Sequence, residues 1–163
     1  MELSRPILAP PTTAPAQPGR PPTFSVIVAA YQAAATIGEA LASAFAQTVL
    51  PHEVVVCDDG STDALDAALA PFRDRIRLVR QENRGEGAAK NAAARAAGGD
   101  FVVILDADDV YLPERLEALG ELAAVRPDLD VLTTDAMLEL EGRELGRYYE
   151  LVGPFRSNSS GRG

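Results

Sequence analysis

Glu53-Val-Val-Val-Cys-Asp-Asp-Gly-Ser61 and Phe101-Val-Val-Ile-Leu-Asp-Ala-Asp-Asp109 decide the fold of this chain. Each opens with a run of four or five apolar residues lacking a polar face, as expected of a strand covered on both sides. Each run then ends in aspartates. In an open α/β sheet, ligands bind beyond the carboxyl ends of the strands. Five carboxylates gathered on one edge repel one another, and a divalent cation sharing the space relieves the repulsion.

The alternation extends on both sides of these stretches. Residues 24–30 read as a strand. Thr36-Ile-Gly-Glu39 reads as a capping box, with Thr36 as N-cap and Glu39 reaching back. It opens a helix whose Ile37, Ala40, Leu41, Ala44 and Phe45 share one face. A second helix is expected over 63–69, capped by Ser61 or Thr62 and stopped by Pro71. Strands follow at 76–80, 101–105 and 130–134, helices at 88–97 and from Pro113 to about 125, and a further short strand at 137–140. Strands separated by helices require right-handed crossovers and so a mainly parallel sheet flanked by helices. Residues 1–23, rich in Pro, Ala and Thr, read as a disordered arm. Residues 24–150 read as one domain and 151–163 as a flexible tail.

Composition narrows the function. The 163 residues carry a net charge of −9. Glu2, Arg5 and Arg20 give residues 1–23 a charge of +1, and Arg156 and Arg162 give 151–163 +2, so residues 24–150 hold −12. That disfavours a nucleic-acid footprint, which needs a basic face. The single Cys57 leaves no intramolecular disulfide and no multi-cysteine zinc site; inside a strand it reads as a core residue. His52, the only histidine, reads as a surface-loop residue, and no nucleophile elbow lies near it. No apolar run reaches the 18 or so residues that a membrane span needs.

The chemistry-bearing residues sit at loops. Asp106 and Asp108 alternate at a strand end and can face one site, where their hard oxygens suit Mg²⁺ or Mn²⁺; the competing reading is an acidic turn before a helix. Gly60 permits a tight turn after Asp58 and Asp59. Asp59 can accept the N3–H of a uracil, and Tyr31 can stack on its face; a turn and a half-buried aromatic are the bland alternatives. Gly85 and Gly87 approach a helix N-terminus, which favours anions, and Lys90 on its first turns can meet a phosphate or point to solvent. The glycine spacing lacks the third glycine of a dinucleotide fingerprint and lacks the Gly-Lys-Ser/Thr of a P-loop.

Taken together, Ser25-Val-Ile-Val-Ala-Ala-Tyr-Gln32, Glu53–Ser61, Asn83-Arg-Gly-Glu-Gly-Ala-Ala-Lys-Asn91 and Gly99–Asp109 resemble a family 2 glycosyltransferase of the Rossmann-like GT-A fold. The resemblance covers about residues 24–140. It implies a nucleotide-diphospho-sugar donor, most often a UDP-sugar, and Mn²⁺ or Mg²⁺. Carried over, Tyr31 and Asp59 contact the base, Asp106 lies near the ribose or sugar, Lys90 lies near the donor, and Asp108 binds metal. Ala29, Asp58 and Ala107 complete the donor-binding set. Three positions depart from the usual pattern: Ala29-Ala30-Tyr31-Gln32 replaces Pro-Ala-Tyr-Asn, changing the first and last residues, and Lys90 stands where Arg is usual.

In such a family an acceptor-binding half follows and supplies the carboxylate base. Residues 151–163 hold no Asp or Glu, so the expected protein is truncated, a donor-binding half whose catalytic base lies beyond residue 163. The implied reaction inverts the anomeric carbon of a donor sugar and delivers it to a hydroxyl of a saccharide, lipid-linked or other acceptor. The resemblance also implies a cytoplasmic protein, with peripheral association at the inner face of the cytoplasmic membrane left open. A second reading, from a different class, is a non-catalytic nucleotide-binding or interaction module descended from such an enzyme. A sugar-phosphate nucleotidyltransferase fits poorly, because residues 29–35 lack the glycine- and Arg/Lys-bearing loop it needs after the first strand.

Overall fold

A computed structural model describes residues 20–132, 134–140 and 143–147. Most of the expected arm and the whole expected tail lie outside the described residues. The chain divides after Asp128 into two compact units. The first holds β1 (Phe24–Ala30), α1 (Ile37–Phe45), β2 (Glu53–Asp58), α2 (Leu65–Leu69), β3 (Ile76–Arg80), α3 (Glu86–Ala96), β4 (Phe101–Ile104) and α4 (Arg115–Val125). Its four strands form one parallel sheet in the order β3-β2-β1-β4. The chain moves outward from β1 to β3, then returns past β1 to lay down β4. The strand order therefore reverses between β1 and β4, which is where the carboxyl ends open a crevice.

Side-chain alternation explains the two covered faces. Ile27, Val55 and Cys57 point to α3, where Ala89 and Ala93, both fully buried, let the helix approach closely. Val26, Val28, Val54 and Val56 point the other way and are likewise fully buried, as are Ile37 and Leu41 of α1. At the amino edge Ser25 Oγ donates to Glu53 Oε1 (2.9 Å), and the Gly99 N–H donates to Ser25 Oγ (2.9 Å). This polar knot fixes the strands at the end away from the crevice.

Several local expectations change. Thr36 does not form a capping box: it is already in the right-handed helical region and makes no side-chain cap bond, because α1 grows out of a turn whose Ala33 carbonyl accepts the Thr36 and Ile37 N–H groups. Neither Ser61 nor Thr62 caps α2; Asp63 Oδ1 accepts the Leu65 N–H instead (3.2 Å). α2 does end at Leu69 ahead of Pro71, as expected, and Ala70–Phe72 follow as a 3₁₀ turn that tolerates proline near its start. α3 begins at Glu86, two residues early, because Gly85 at φ +88° breaks the backbone there. β4 is not covered on both faces: Val102 and Ile104 are 42% and 49% exposed. Among the described residues it is an edge strand paired with β1 alone, and α3 covers β1 and β2.

The second unit contains an antiparallel pair, β5 (Met137–Leu140) and β6 (Arg143–Arg147). The strand expected over 130–134 is absent from residues 130–132 and 134; Thr133 lies outside the described residues. Val131 is 82% exposed. Its β-branched neighbours favour extension, but a strand needs a ladder partner, and within this unit β5 and β6 pair with each other. β6 escaped the sequence reading because Arg-Glu-Leu-Gly-Arg offers a single apolar side chain.

Candidate functional site

A cleft of about 740 Å³ opens in the first unit at the carboxyl ends of β1 and β4. β1 and the loop after it contribute Ala29, Tyr31 and Gln32; the turn after β2 contributes Asp59; the start of α3 contributes Gly85, Glu86 and Ala89; and the turn after β4 contributes Asp106, Ala107 and Asp108. Five of the expected donor-site residues besides Asp108 thus line one cavity: Ala29, Tyr31, Asp59, Asp106 and Ala107. Asp58 and Lys90 are not among its lining residues.

Asp59 is 2% exposed. Its Oδ1 accepts from Gln81 Nε2 (2.6 Å) and from the Arg84 N–H (2.9 Å), and its Oδ2 accepts from the Gly85 N–H (2.8 Å). The Gln81 hydrogen bond, joined by those two N–H groups, holds the carboxyl below the usual range despite burial. Asp59 is therefore the anchor of the loop that delivers α3 to the cleft. Gly60 continues this contact at φ +75°, pressed against the backbone of Asn83.

Asp58 has a different task. Its Oδ1 accepts the Ser61 N–H (2.9 Å) and its Oδ2 faces Arg80 Nε at 3.7 Å. The carboxylate thus serves the turn and faces β3, and Asp58 does not line the cleft. Lys90 is committed as well. Its ammonium pairs with Asp106 Oδ1 (2.7 Å) and with Glu86. Burial works against its charge, but hydrogen bonds to Asp106 and Glu86 prevail and raise its pKa. One positive charge from α3 thus crosses to the β4 turn and neutralises Asp106.

Beyond Asp106 the rim is crowded with negative charge. Asp109 has its carboxyl pushed up, by burial first and then by Asp106 and Asp108. Asp108 is exposed and accepts no hydrogen bond from the described residues. No three His, Cys, Asp or Glu side chains among the described residues are grouped so as to hold a metal ion by themselves. Mg²⁺ and Mn²⁺ characteristically take one or two carboxylates and complete their shells with ligand phosphates and water. The donor set therefore fits an ion shared with a phosphorylated ligand and not one caged by protein.

Tyr31 stands 54% exposed in the cleft. Behind the aspartates, Tyr111 is buried, with its hydroxyl donating to the Ile104 carbonyl (2.6 Å), and burial raises its pKa far above the usual phenol value. Cys57 is buried under α3, and burial, then Asp59 and Asp58, raise its thiol pKa; it is a core residue as expected. His52 is exposed in the loop before β2. Sequence reasoning missed Gln32, which lines the cleft and holds the turn after β2; its sole signal was a glutamine following Tyr31 where asparagine is usual.

Comparison with known proteins agrees with this geometry. Residues 25–142 match the profile of glycosyl transferase family 2. The chain is 42% identical over 132 residues to the succinoglycan biosynthesis protein ExoO of Rhizobium meliloti (strain 1021), a match covering 79% of this chain and 38% of ExoO. S. aureus TarS in complex with UDP superposes with a TM-score of 0.62 at 29% identity, over 74% of this chain and 37% of that one. Mannosyltransferase PcManGT from Pyrobaculum calidifontis, in complex with GDP-Man and Mn²⁺, gives 0.58 at 35% identity, over 71% of this chain and 36% of that one. The chain spans under two-fifths of the length of each of these three relatives. The fold is that of GT-A transferases, and the chain belongs to glycosyl transferase family 2.

Proposed function

We propose that this chain carries the donor-binding side of an inverting, metal-dependent glycosyltransferase that uses a UDP-sugar. The observation that carries the proposal is the cleft at the strand-order reversal, where Tyr31, Asp59 and the Asp106-Ala107-Asp108 turn meet. Complexes of TarS with UDP and with UDP-GlcNAc, and of PcManGT with GDP-Man and Mn²⁺, support a nucleotide sugar and a divalent ion there.

The choice of UDP rests on Asp59. A carboxylate has roughly four acceptor positions, and three of Asp59's are taken by Gln81, Arg84 and Gly85. The remaining one satisfies the single N3–H of uracil. Guanine presents an N–H and an amino group side by side and calls for a carboxylate with both oxygens open, which Asp59 does not offer. Tyr31 provides the stacking surface.

At the other end, Asp108 would hold the Mn²⁺ or Mg²⁺ ion, with Asp106 beside it. The ion supplies charge stabilisation to a departing diphosphate. Asp106, fixed by Lys90, is kept in one orientation at the ribose-sugar side. The Gly85 N-cap and the first turn of α3 border the cleft with backbone N–H groups that favour anions. The domain proposed for this role is 24–150, working with an acceptor-binding portion that supplies the carboxylate base and selects a saccharide, lipid-linked or other hydroxyl acceptor. A cytoplasmic location, with peripheral contact at the inner membrane face, fits such a donor; no helix among the described residues is long and apolar enough to cross a membrane.

Calorimetric titration with UDP and with GDP, each with and without Mn²⁺, tests the proposal. Expected are Mn²⁺-dependent binding of UDP, weaker binding of GDP, and loss of the Mn²⁺ dependence in Asp108→Asn. Absence of any nucleotide binding, or binding indifferent to Mn²⁺ and to Asp108→Asn, overturns it. Sugar transfer to an acceptor by this chain would exclude the non-catalytic module.

A further inference from the structure

We propose that Gln32 is a positioning residue that pre-sets the Tyr31 wall of the cleft for a nucleobase, by locking the loop after β1 to the turn after β2; the inference rests on the nucleotide-binding reading above. Gln32 has φ +53° and is the only non-glycine residue with positive φ among those described. That conformation is uncommon for a residue other than Gly, Asn or Asp. Backbone of this kind persists only where surrounding contacts over-determine it.

Here the contacts are visible. The Gln32 N–H donates to Ser61 Oγ (3.1 Å). Its Oε1 accepts the Thr62 N–H (2.7 Å) and the Asp63 N–H (3.1 Å), and its Nε2 donates to Thr62 Oγ1 (3.1 Å). A second stitch runs the other way: the Ala34 N–H donates to Asp63 Oδ2 (2.9 Å). The amide side chain thereby does for the turn what a neighbouring strand does for an edge, giving its N–H groups an acceptor.

This lock continues into the floor of the cleft. The turn it holds carries Asp59, which anchors the Gln81–Gly85 loop, and Gly60, which abuts Asn83. Tyr31 has no hydrogen bond or ring contact of its own among the described residues. Its pose therefore depends on the backbone on either side of it, and Gln32 fixes one side. A simple turn residue would need neither the left-handed backbone nor both ends of a side-chain amide engaged on one turn. Pre-organising an aromatic wall saves the ordering cost that each immobilised side chain otherwise adds to binding.

The test compares Gln32→Ala, Gln32→Gly and Gln32→Glu in the full chain. Glutamate keeps the acceptors for the Thr62 and Asp63 N–H groups. Alanine and glycine remove them, and glycine also removes the backbone strain. UDP and inorganic pyrophosphate are titrated in Mn²⁺, and hydrogen exchange is read at the Thr62 and Asp63 amides. Expected are about tenfold weaker UDP binding in the alanine and glycine variants, near-unchanged pyrophosphate binding, faster exchange at both amides, and recovery of UDP binding and amide protection in Gln32→Glu. UDP binding unchanged in Gln32→Ala overturns the inference, as does an equal loss for UDP and pyrophosphate, which marks general disruption. Wild-type protein that binds neither UDP nor GDP overturns the nucleotide reading itself and this inference with it, a result distinct from wild-type binding that the variants leave untouched.

Discussion

Gly60→Ala is expected to damage both stability and the cleft, for a reason that is local and geometric. Gly60 sits at φ +75°, and a β-carbon there would lie 2.8 Å from the backbone nitrogen of Asn83 and 3.4 Å from the Gln81 carbonyl oxygen. The left-handed backbone costs a non-glycine residue about 1–2 kcal/mol. The overlap cannot be relieved by swinging a side chain, because the obstacle is backbone. Restoring an ordinary contact near 3.5 Å moves the loop at Asn83 by about 0.7 Å, and forced repacking of that kind typically costs ~1–3 kcal/mol. The sum is about 2–5 kcal/mol. With a urea slope of about 1–3 kcal/mol per molar for a small protein, the unfolding midpoint should fall by at least ~0.7 M. The same shift stretches the 2.8 Å and 2.9 Å bonds from Gly85 and Arg84 to Asp59, so UDP affinity should fall with stability. A midpoint within ~0.3 M of wild type, with UDP binding intact, would refute the reasoning.

Gly99→Ala should destabilise by the ~1–3 kcal/mol of forced repacking, without a left-handed backbone cost and without touching the site: its β-carbon would lie 2.8 Å from Ser25 Oγ and 2.9 Å from Ser25 N at the amino edge of the sheet, so urea unfolding should shift while the UDP affinity of the folded protein stays within twofold. Asp59 has a carboxyl pKa below its unfolded value; a depressed carboxylate contributes stability above the unfolded pKa of about 3.9 that is lost as pH falls through the folded one. Amide protection at Arg84 and Gly85 should therefore hold at pH 5 and collapse only below about pH 4, and protection already lost at pH 5 would contradict it. Lys90→Met removes a positive charge 2.7 Å from Asp106. Both side chains are partly exposed, so stability should change by no more than ~1 kcal/mol, whereas Mn²⁺ binding without nucleotide, read by electron paramagnetic resonance, should tighten severalfold; weaker binding would show that Lys90 does not compete with the ion.

The Glu53–Cys57 stretch revealed a central strand because burial on both faces leaves a sequence-level trace, Val54, Val55 and Val56 all being fully buried, whereas the equally apolar Phe101–Leu105 stretch concealed an edge strand with Val102 and Ile104 half exposed. Both stretches pointed to the carboxyl edge of the sheet, where the cleft opens, whereas the strand order β3-β2-β1-β4 was not legible, because alternation of strands and helices requires parallel pairing without fixing which strands are neighbours. The partners of each carboxylate were not legible. Asp58 and Asp59 are adjacent and chemically identical, yet one serves a turn and the other a loop more than twenty residues away, and that sorting depends on β2 side-chain alternation meeting the 81–85 loop in space. Gln32 was invisible for the same reason, because its partners Ser61 to Asp63 come to it only once β1 and β2 pair. The errors at Thr36 and at 130–134 share one cause: a motif or a β-forming run specifies a local option, and tertiary neighbours decide whether it is taken.

The charges at the rim are divided in a way that bears on mechanism. Asp58 accepts the Ser61 N–H and faces Arg80, Asp59 accepts from three donors with one acceptor position left, and Asp106 is paired with Lys90. Among the described rim aspartates that leaves Asp108 and Asp109; the Asp109 carboxyl is raised by burial first and then by Asp106 and Asp108, which Arg115 and Lys90 only partly offset. A nucleotide diphosphate entering this cleft would add further negative charge beside them, which is unfavourable unless a cation arrives with it. Donor and metal should therefore bind with positive cooperativity, each raising the affinity of the other by the same factor. On the proposed reading the same asymmetry would orient the donor, with a neutral base at the Asp59 end, where one acceptor position remains, and the cation and phosphates at the Asp108 end.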